Sequence, residues 1–358
     1  MIPKITFGII VLNGEPFVRY NLRSLYPWAH QIIVVEGACR TAKAVATPDG
    51  HSIDSTLQSL RRFQAEEDPE KKVLVVSARD EGLEDGFWPE KTEMCQAFAK
   101  RATGNYLWQI DSDEFYREED MPTILRFLSK GIGWATFPQR SFWGGIDYTN
   151  NSLALAEFDL RGTGARLFAW GKGYRYVKHR PPTVMDERGR DVRLQGAFTC
   201  RQMKKLGIHR YHYCLLFPSQ VFSKVTYYST PSPEKIAQGG GFGQEISSWH
   251  ETNFRRISRP FHLHNIAGCL SWIRPFRGAH PAQVVKMMAD IREGRVSHEL
   301  RDTDDVEDLM RSRCYRCTTG LLDVMVALNT SAIGYPFFRV CRGVFSRFKK
   351  IVGRSHLR

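Results

Sequence analysis

The chain has 358 residues, 42% of them hydrophobic, 12% aromatic and 25% charged, enough apolar material for a substantial core and too much for a disordered or collagen-like polymer. The 51 Lys and Arg outnumber the 38 Asp and Glu, giving a formal charge of +13 that points to an anionic partner. Eight cysteines, at 39, 95, 200, 214, 269, 314, 317 and 341, lack the dense spacing of a disulfide scaffold and suit a reducing compartment.

The first apolar run, within MIPKITFGIIVLNGEPF, alternates like a strand and no small-residue cleavage site follows it, so no signal peptide is expected. Strands are predicted at Ile5–Leu12, Gln31–Glu36, Val73–Ser77 and Tyr106–Ile110, with helices near Phe17–Tyr26, Ile53–Gln64 and Lys91–Ala102. This βαβαβαβ order with near-continuous apolar strands predicts a parallel sheet covered on both faces, with ligands beyond the carboxyl ends of its strands. From Trp134 the pattern breaks into shorter aromatic and Gly-rich segments, expected to extend the same sheet. A Pro-rich stretch then leads into the glycines of Gly239 to Gly243, a linker or lid. Helices resume near Pro281–Glu293 and Asp304–Arg313.

The fourth strand runs straight into Asp111, Asp113 and Glu114. Carboxylates packed at one strand end repel one another unless cations or hydrogen-bond donors neutralise them. In an extended segment Asp111 and Asp113 lie on one side, where both can face one hard divalent ion, manganese or magnesium, whose shell is completed by phosphate oxygens. The bland alternative is an acidic helix cap. His209 and His212 are candidates for a further metal ligand. They point to opposite faces if their segment is a strand and share a face if it is a helix, and His212, followed by the apolar run Tyr213–Phe217, is favoured. His262 with His264, and His179, are further candidates. The CYRC pair Cys314 and Cys317 reads as ordinary helix-face thiols.

The opening strand and helix, ITFGIIVLNGEPFVRYNLRSL, the segment IIVVEGA followed by DGHSIDSTLQSLRRF, and KTEMCQAFAKRATGNYLWQIDSDEFY resemble, in that order, the motifs of the family 2 glycosyltransferases over about residues 4–120. The resemblance implies the GT-A fold, an α/β Rossmann-like mixed sheet flanked by helices, here with a helical C-terminal extension. It implies Glu36 at the nucleoside, and Asp49, Ser52, Asp54 and Thr56 in the turn that follows, although Gly37 to Pro48 interrupt that motif here. Asn13, Glu15, Glu36, Asp54, Lys91 and Asp111 become the candidates for binding the nucleotide-sugar, and Asp111, Asp113 and His212 for the metal, manganese or magnesium.

Inverting transfer needs a carboxylate base to take the proton of the attacking hydroxyl. Asp147, Glu157, Asp159, Asp186 and Glu245 are the candidates, one of them expected to serve. Lys91, Arg166 and Lys224 are candidate partners of diphosphate oxygens, which gain charge as the sugar leaves. The GFWPE stretch, Gly86 to Glu90, is a candidate aromatic wall.

The expected organisation is a catalytic domain at 1–230, with nucleotide-sugar half 1–120 and acceptor half 121–230, then a linker or lid with accessory helices at 231–320 and a basic tail at 321–358. Phe337, Cys341, Val344, Phe345, Phe348 and Val352 recur in the tail at helical spacing among arginines and lysines, the pattern of a helix on anionic lipid or of one docked on the body. The function expected is metal-dependent transfer of a sugar from a nucleotide-diphospho-sugar to a glycan or lipid-linked acceptor, at a cytoplasmic location that includes the inner membrane face. No nucleic-acid partner is expected. The competing classes are a nucleotidyltransferase or metal-dependent phosphohydrolase, and a non-enzymatic RNA- or membrane-surface-binding module.

Overall fold

In the computed structural model, residues 2–160, 164–229, 251–263, 270–331 and 334 are described. The four predicted strands form: β1 (Ile5–Val11), β2 (Gln31–Glu36), β3 (Val73–Val76) and β4 (Tyr106–Asp111) are parallel, in the order β4-β1-β2-β3. Their apolar runs are continuous because both faces are covered. Phe7, Ile9, Ile32, Val34, Trp108 and Ile110 pack on one side with Leu22 of α1 (Phe17–Leu25) and Leu60 and Phe63 of α2 (Thr56–Glu66). Ile33, Val35 and Leu107 pack on the other with Met94, Cys95 and Phe98 of α3 (Lys91–Ala99). Helix α3 lies so close to β1 that a Cβ on Gly8 would sit 2.5 Å from the Phe98 ring, an approach only glycine permits.

The expectation that the later segments extend this sheet holds for three strands. β9 (Ala165–Ala169) runs antiparallel to β4, β6 (Trp134–Thr136) antiparallel to β9, and β12 (Ala197–Phe198) parallel to β6, giving the mixed sheet β12-β6-β9-β4-β1-β2-β3. The rest depart from it. β5 (Glu114–Phe115), β7 (Gln139–Trp143), β8 (Tyr148–Ser152), β13 (Arg210–Leu215) and β14 (Ser271–Pro275) build a second sheet in the order β14-β8-β7-β13-β5, and β10 (Arg175–Lys178) pairs only with β11 (Thr183–Met185). A strand's own alternation fixes its faces but not its partner, so either sheet satisfied the sequence pattern.

The second sheet is also covered on both sides. Phe115, Phe142, Tyr211 and Tyr213 pack with Phe17 and Tyr20 of α1 and with Val284, Met287 and Ile291 of α8 (Ala282–Arg292). Trp143, Leu215, Trp272 and Ile273 pack with Val221 of α7 (Pro218–Ser229), Val306 of α9 (Asp304–Arg311), and Tyr315 and Leu322 of α10 (Arg313–Thr330). Helices α4 (Met121–Leu128), α5 (Leu153–Leu160) and α6 (Cys200–Lys205) complete the connections. Strand β14, from the region read as linker and accessory helices, is thus a member of the second sheet. The glycine run 239–243 and the tail stripe 337–358 lie outside the described residues. No helix among the described residues is long and apolar enough to cross a membrane.

One feature of this topology positions the site. Only Ser112 and Asp113 separate the end of β4 from the start of β5, so the carboxylate cluster is the corner where the chain passes from one sheet to the other. The first sheet also reverses its winding between β1 and β4, the kind of switch point beyond which open α/β sheets bind ligands.

Candidate active site

At the corner, each carboxylate has a cation of the protein's own. Arg166, from β9, places one guanidinium nitrogen 2.9 Å from Asp111 Oδ2 and 3.0 Å from Glu114 Oε1. Glu114 is fully buried, 3.4 Å from Arg210, and its other oxygen accepts from the Asp111 amide at 3.2 Å. Asp113 turns the other way. Its Oδ1 is 3.4 Å from His212 Nε2 and its Oδ2 3.6 Å from Lys224 Nζ. Pairing of β13 with β5 sets His212 opposite Glu114, and Tyr213 N donates to the Asp113 carbonyl at 2.9 Å. Lys224, on α7, also donates to the Cys214 carbonyl at 2.6 Å.

These cations answer the repulsion that the sequence poses. Burial pushes the Asp111 carboxyl up, but Arg166, then Arg180, His212 and His179, outweigh it and hold Asp111 well below the usual carboxylate range. Asp113 is likewise lowered, burial being outweighed by His212 and Lys224, while the Asp111 charge pushes the other way. Burial opposes the imidazolium of His212, yet Cys214 and Asp113 raise it to about 10. Its Nδ1 is buried without a hydrogen-bond partner.

The end of β1 closes another side. Asn13 adopts a left-handed φ of 53°. Its amide donates to the Val45 carbonyl at 2.7 Å and accepts from Ile53 N at 2.8 Å, and its backbone N donates to Ser52 Oγ at 2.9 Å. Gly14 N donates to Thr56 Oγ1 and Glu15 N to Asp54 Oδ2, while Asp54 Oδ1 accepts from Thr56 N at 2.9 Å. These residues tie the turn after β1 to the start of α2. A Cβ on Gly14 would lie 3.4 Å from Ser112 Oγ, so the turn abuts the carboxylate corner. Burial raises the Glu15 carboxyl, one oxygen of which is buried without a partner.

Glu36 ends β2 with its carboxylate fully enclosed. One oxygen meets His51 Nδ1 at 2.6 Å and the other accepts from Ser52 N at 2.8 Å, so the partly open His51 ring stands between Glu36 and solvent. The segment 37–52, which holds the interruption and the start of the turn after it, folds back onto the strand ends through a backbone stack in which a Cβ on Gly50, at φ +86°, would lie 2.0 Å from the Gly86 carbonyl. Trp88, of the predicted aromatic wall, is buried, its Nε1 donating to the Glu36 carbonyl at 3.2 Å. Asp49 accepts from the Thr47 hydroxyl within an exposed turn.

Helix α3 begins at Lys91, whose Nζ lies 4.8 Å from the centre of the Tyr227 ring on α7. Burial, with the charges of Lys91 and Arg180, lowers His179 to about 3, and its Nδ1 is 3.4 Å from Cys95 Sγ. Lys91, His179, Arg180 and Asp111 therefore lie within electrostatic reach of one another. His209 is separate, its Nδ1 donating to the Gly207 carbonyl at 2.8 Å and its Nε2 lying 3.4 Å from Arg140.

The candidate bases are dispersed. Asp147 is exposed in the turn between β7 and β8, its charge acting on Tyr148 and His280. Asp186 is consumed by its own turn, accepting from Arg188 N, Arg190 N and Arg190 Nε at 2.9–3.0 Å. The side chains of Glu157 and Asp159, and the whole of Glu245 and His264, lie outside the described residues. Sequence reasoning missed Arg180, Arg210 and His51; the HRPP run around Arg180 was a visible signal, whereas nothing local marks the other two.

A divalent ion suits Asp113 and His212. Their facing atoms are 3.4 Å apart, near the spacing of two ligands that each lie about 2.1 Å from one ion, and an ion bound there would displace the proton that now pairs the two side chains. Asp111 is instead taken by Arg166. Among the described residues, no three His, Cys, Asp or Glu side chains form a metal-holding group, so remaining positions fall to ligand oxygens. A cavity of about 480 Å³ lined by Lys4, Lys100, Trp170 and Tyr174 lies at the amino-terminal end of β1 and β4, away from this corner.

No protein-family model and no curated protein matches the sequence. Among solved structures, S. aureus TarS 1-349 in complex with UDP-GlcNAc is 15% identical over 46% of this chain and 45% of that chain, with a TM-score of 0.31. The UDP complex of the same protein is 12% identical over 66% and 68%, TM-score 0.33. M. tuberculosis glucosyl-3-phosphoglycerate synthase with Mn2+ and UDP-glucose is 18% identical over 47% and 56%, TM-score 0.30. The match thus spans under half of the TarS–UDP-GlcNAc chain and little more than half of the synthase. The fold class implied by the resemblance, a mixed α/β sheet between helices with a helical C-terminal extension, is the one observed.

Proposed function

We propose that the chain is a glycosyltransferase that takes a sugar from a nucleotide-diphospho-sugar, with a divalent ion, manganese or magnesium, between Asp113 and His212. One observation carries the reading: Asp113 faces His212 at the carboxyl end of the parallel strands, at the β1/β4 reversal, with Lys224 beside it. An ion there supplies positive charge to the leaving diphosphate. Lys224 and Lys91 bring further charge to the same oxygens, which strengthens as the sugar departs. Arg166 acts indirectly, holding Asp111 ionised and in place. Glu36 orders the nucleoside side through His51, and Asn13, Glu15 and Asp54 shape the turn against which the donor lies. Transfer with inversion to a glycan or lipid-linked hydroxyl belongs to the same proposal, with Asp147, Glu157, Asp159 or Glu245 as the base.

The test is a thermal-shift panel of uridine and guanosine diphospho-sugars with and without manganese, since a ligand bound only by the folded chain raises its midpoint. A manganese-dependent shift with at least one donor, lost in Asp113→Asn and His212→Gln, is expected. Equal shifts in both variants refute the assignment. Release of a sugar 1-phosphate instead of a nucleoside diphosphate on turnover would indicate nucleotidyl transfer.

A further inference from the structure

Helix α10 is apolar on a second side beyond the one it packs. Tyr315 and Leu322 face the second sheet, and Thr319 and Asn329 are buried on the same inner side. On the outer side Leu321, Val324, Met325 and Leu328 are 69%, 56%, 52% and 57% exposed. Their spacing makes one stripe along the helix, which the free, exposed Cys314 and Cys317 continue toward its start. No other helix among the described residues exposes more than one large apolar side chain. A helix with apolar stripes on both sides is one that is covered on both.

Charge indicates the outer cover. Arg313 and Arg316 are exposed on the first turn of α10, and the one acidic side chain of the helix, Asp323, is neutralised by Arg274 at 2.5 Å. After Asp323 the sequence has no further acidic residue, while Arg339, Arg342, Arg347, Lys349, Lys350, Arg354 and Arg358 follow. A second copy docked on the stripe would bring together two chains of formal charge +13, at a repulsive cost. Acyl chains and anionic headgroups satisfy the stripe and the charge at once.

We propose that the outer face of α10 docks the protein on an anionic lipid bilayer, the apolar stripe entering the headgroup boundary with Arg313 and Arg316 meeting the headgroups. This surface is independent of the reaction assigned to the carboxylate corner.

The test uses the full chain with sedimenting vesicles of phosphatidylcholine alone or with roughly 30% phosphatidylglycerol. Binding to the anionic vesicles only, weakened by salt, is expected. The pairs Leu321→Ser with Met325→Ser, and Val324→Ser with Leu328→Ser, should each lower the affinity at least about tenfold while moving the melting midpoint by no more than about 2 °C. The proposal is overturned if the native chain ignores the anionic vesicles or if both variants bind like it. It is equally overturned if the substitutions dissociate a dimer, or markedly lower the midpoint as loss of an intramolecular cover would, with vesicle binding unchanged.

Discussion

Replacing Arg166 by methionine should be among the most damaging single changes near the site. The guanidinium is 12% exposed and lies within about 3 Å of two carboxylates, one of them fully buried. At an effective dielectric of about 20, each contact amounts to about 5 kcal/mol of gross attraction, much of it offset by the desolvation of all three groups. Methionine fills similar space but leaves Asp111 and Glu114 facing each other, with Arg210 at 3.4 Å as the remaining close cation on Glu114. Breaking such a buried set typically costs about 3–5 kcal/mol.

The pH dependence distinguishes charge from packing. In the native chain the lowered Asp111 pKa contributes stability above the unfolded value of about 3.9 and loses it as pH falls through the folded value. Without Arg166, burial is opposed at Asp111 only by Arg180, His212 and His179, so the carboxyl moves up from its native value and the penalty at neutral pH is relieved as pH falls toward it. Denaturant unfolding of both proteins at pH 7 and pH 5 should show the gap narrowing at the lower pH, and Glu114→Gln in the variant should restore part of the loss. A deficit under about 1 kcal/mol, or one equal at both pH values, would refute the electrostatic account.

Gly50→Ala should cost about 2–5 kcal/mol through positive φ and backbone overlap with Gly86, read as a lower urea midpoint with altered Trp88 fluorescence; a native-like midpoint would show that segment 37–52 is not stacked this way. His209 is lowered to about 4, by burial and then by Arg140. Unfolded chains therefore take up its proton near pH 6.5 while the folded protein does not, so roughly 2–3 kcal/mol is present above pH 6.5 and lost as pH falls toward 4. His209→Gln should flatten the stability profile in that window, and an unchanged slope there would sink the assignment.

The parallel half of the first sheet was legible because strands buried on both faces spell themselves as apolar runs, and the helices between them as amphipathic ones. Helix α3 was predicted to start at Lys91 and does, and β4 was predicted to deliver Asp111 and Asp113 to a strand end. The second sheet was not legible. Its β14, WIR flanked by serine and proline, pairs with the polar YTNNS of β8 over a separation of more than a hundred residues, and neither sequence names the other. Arg166 was read as a diphosphate partner from its charge alone, whereas the antiparallel pairing of β9 with β4 brings it onto Asp111 and Glu114.

By itself the sequence determined a carboxylate cluster at the rim of a parallel sheet and required positive charge beside it, because periodicity and like-charge repulsion act locally and need no knowledge of the rest of the chain. The tertiary structure alone decided which charges those are: Arg166 from β9, His212 from β13 and Lys224 from α7. Strand pairing and sheet packing join residues by shape and hydrogen bonding across long stretches of chain, and no local pattern records that choice.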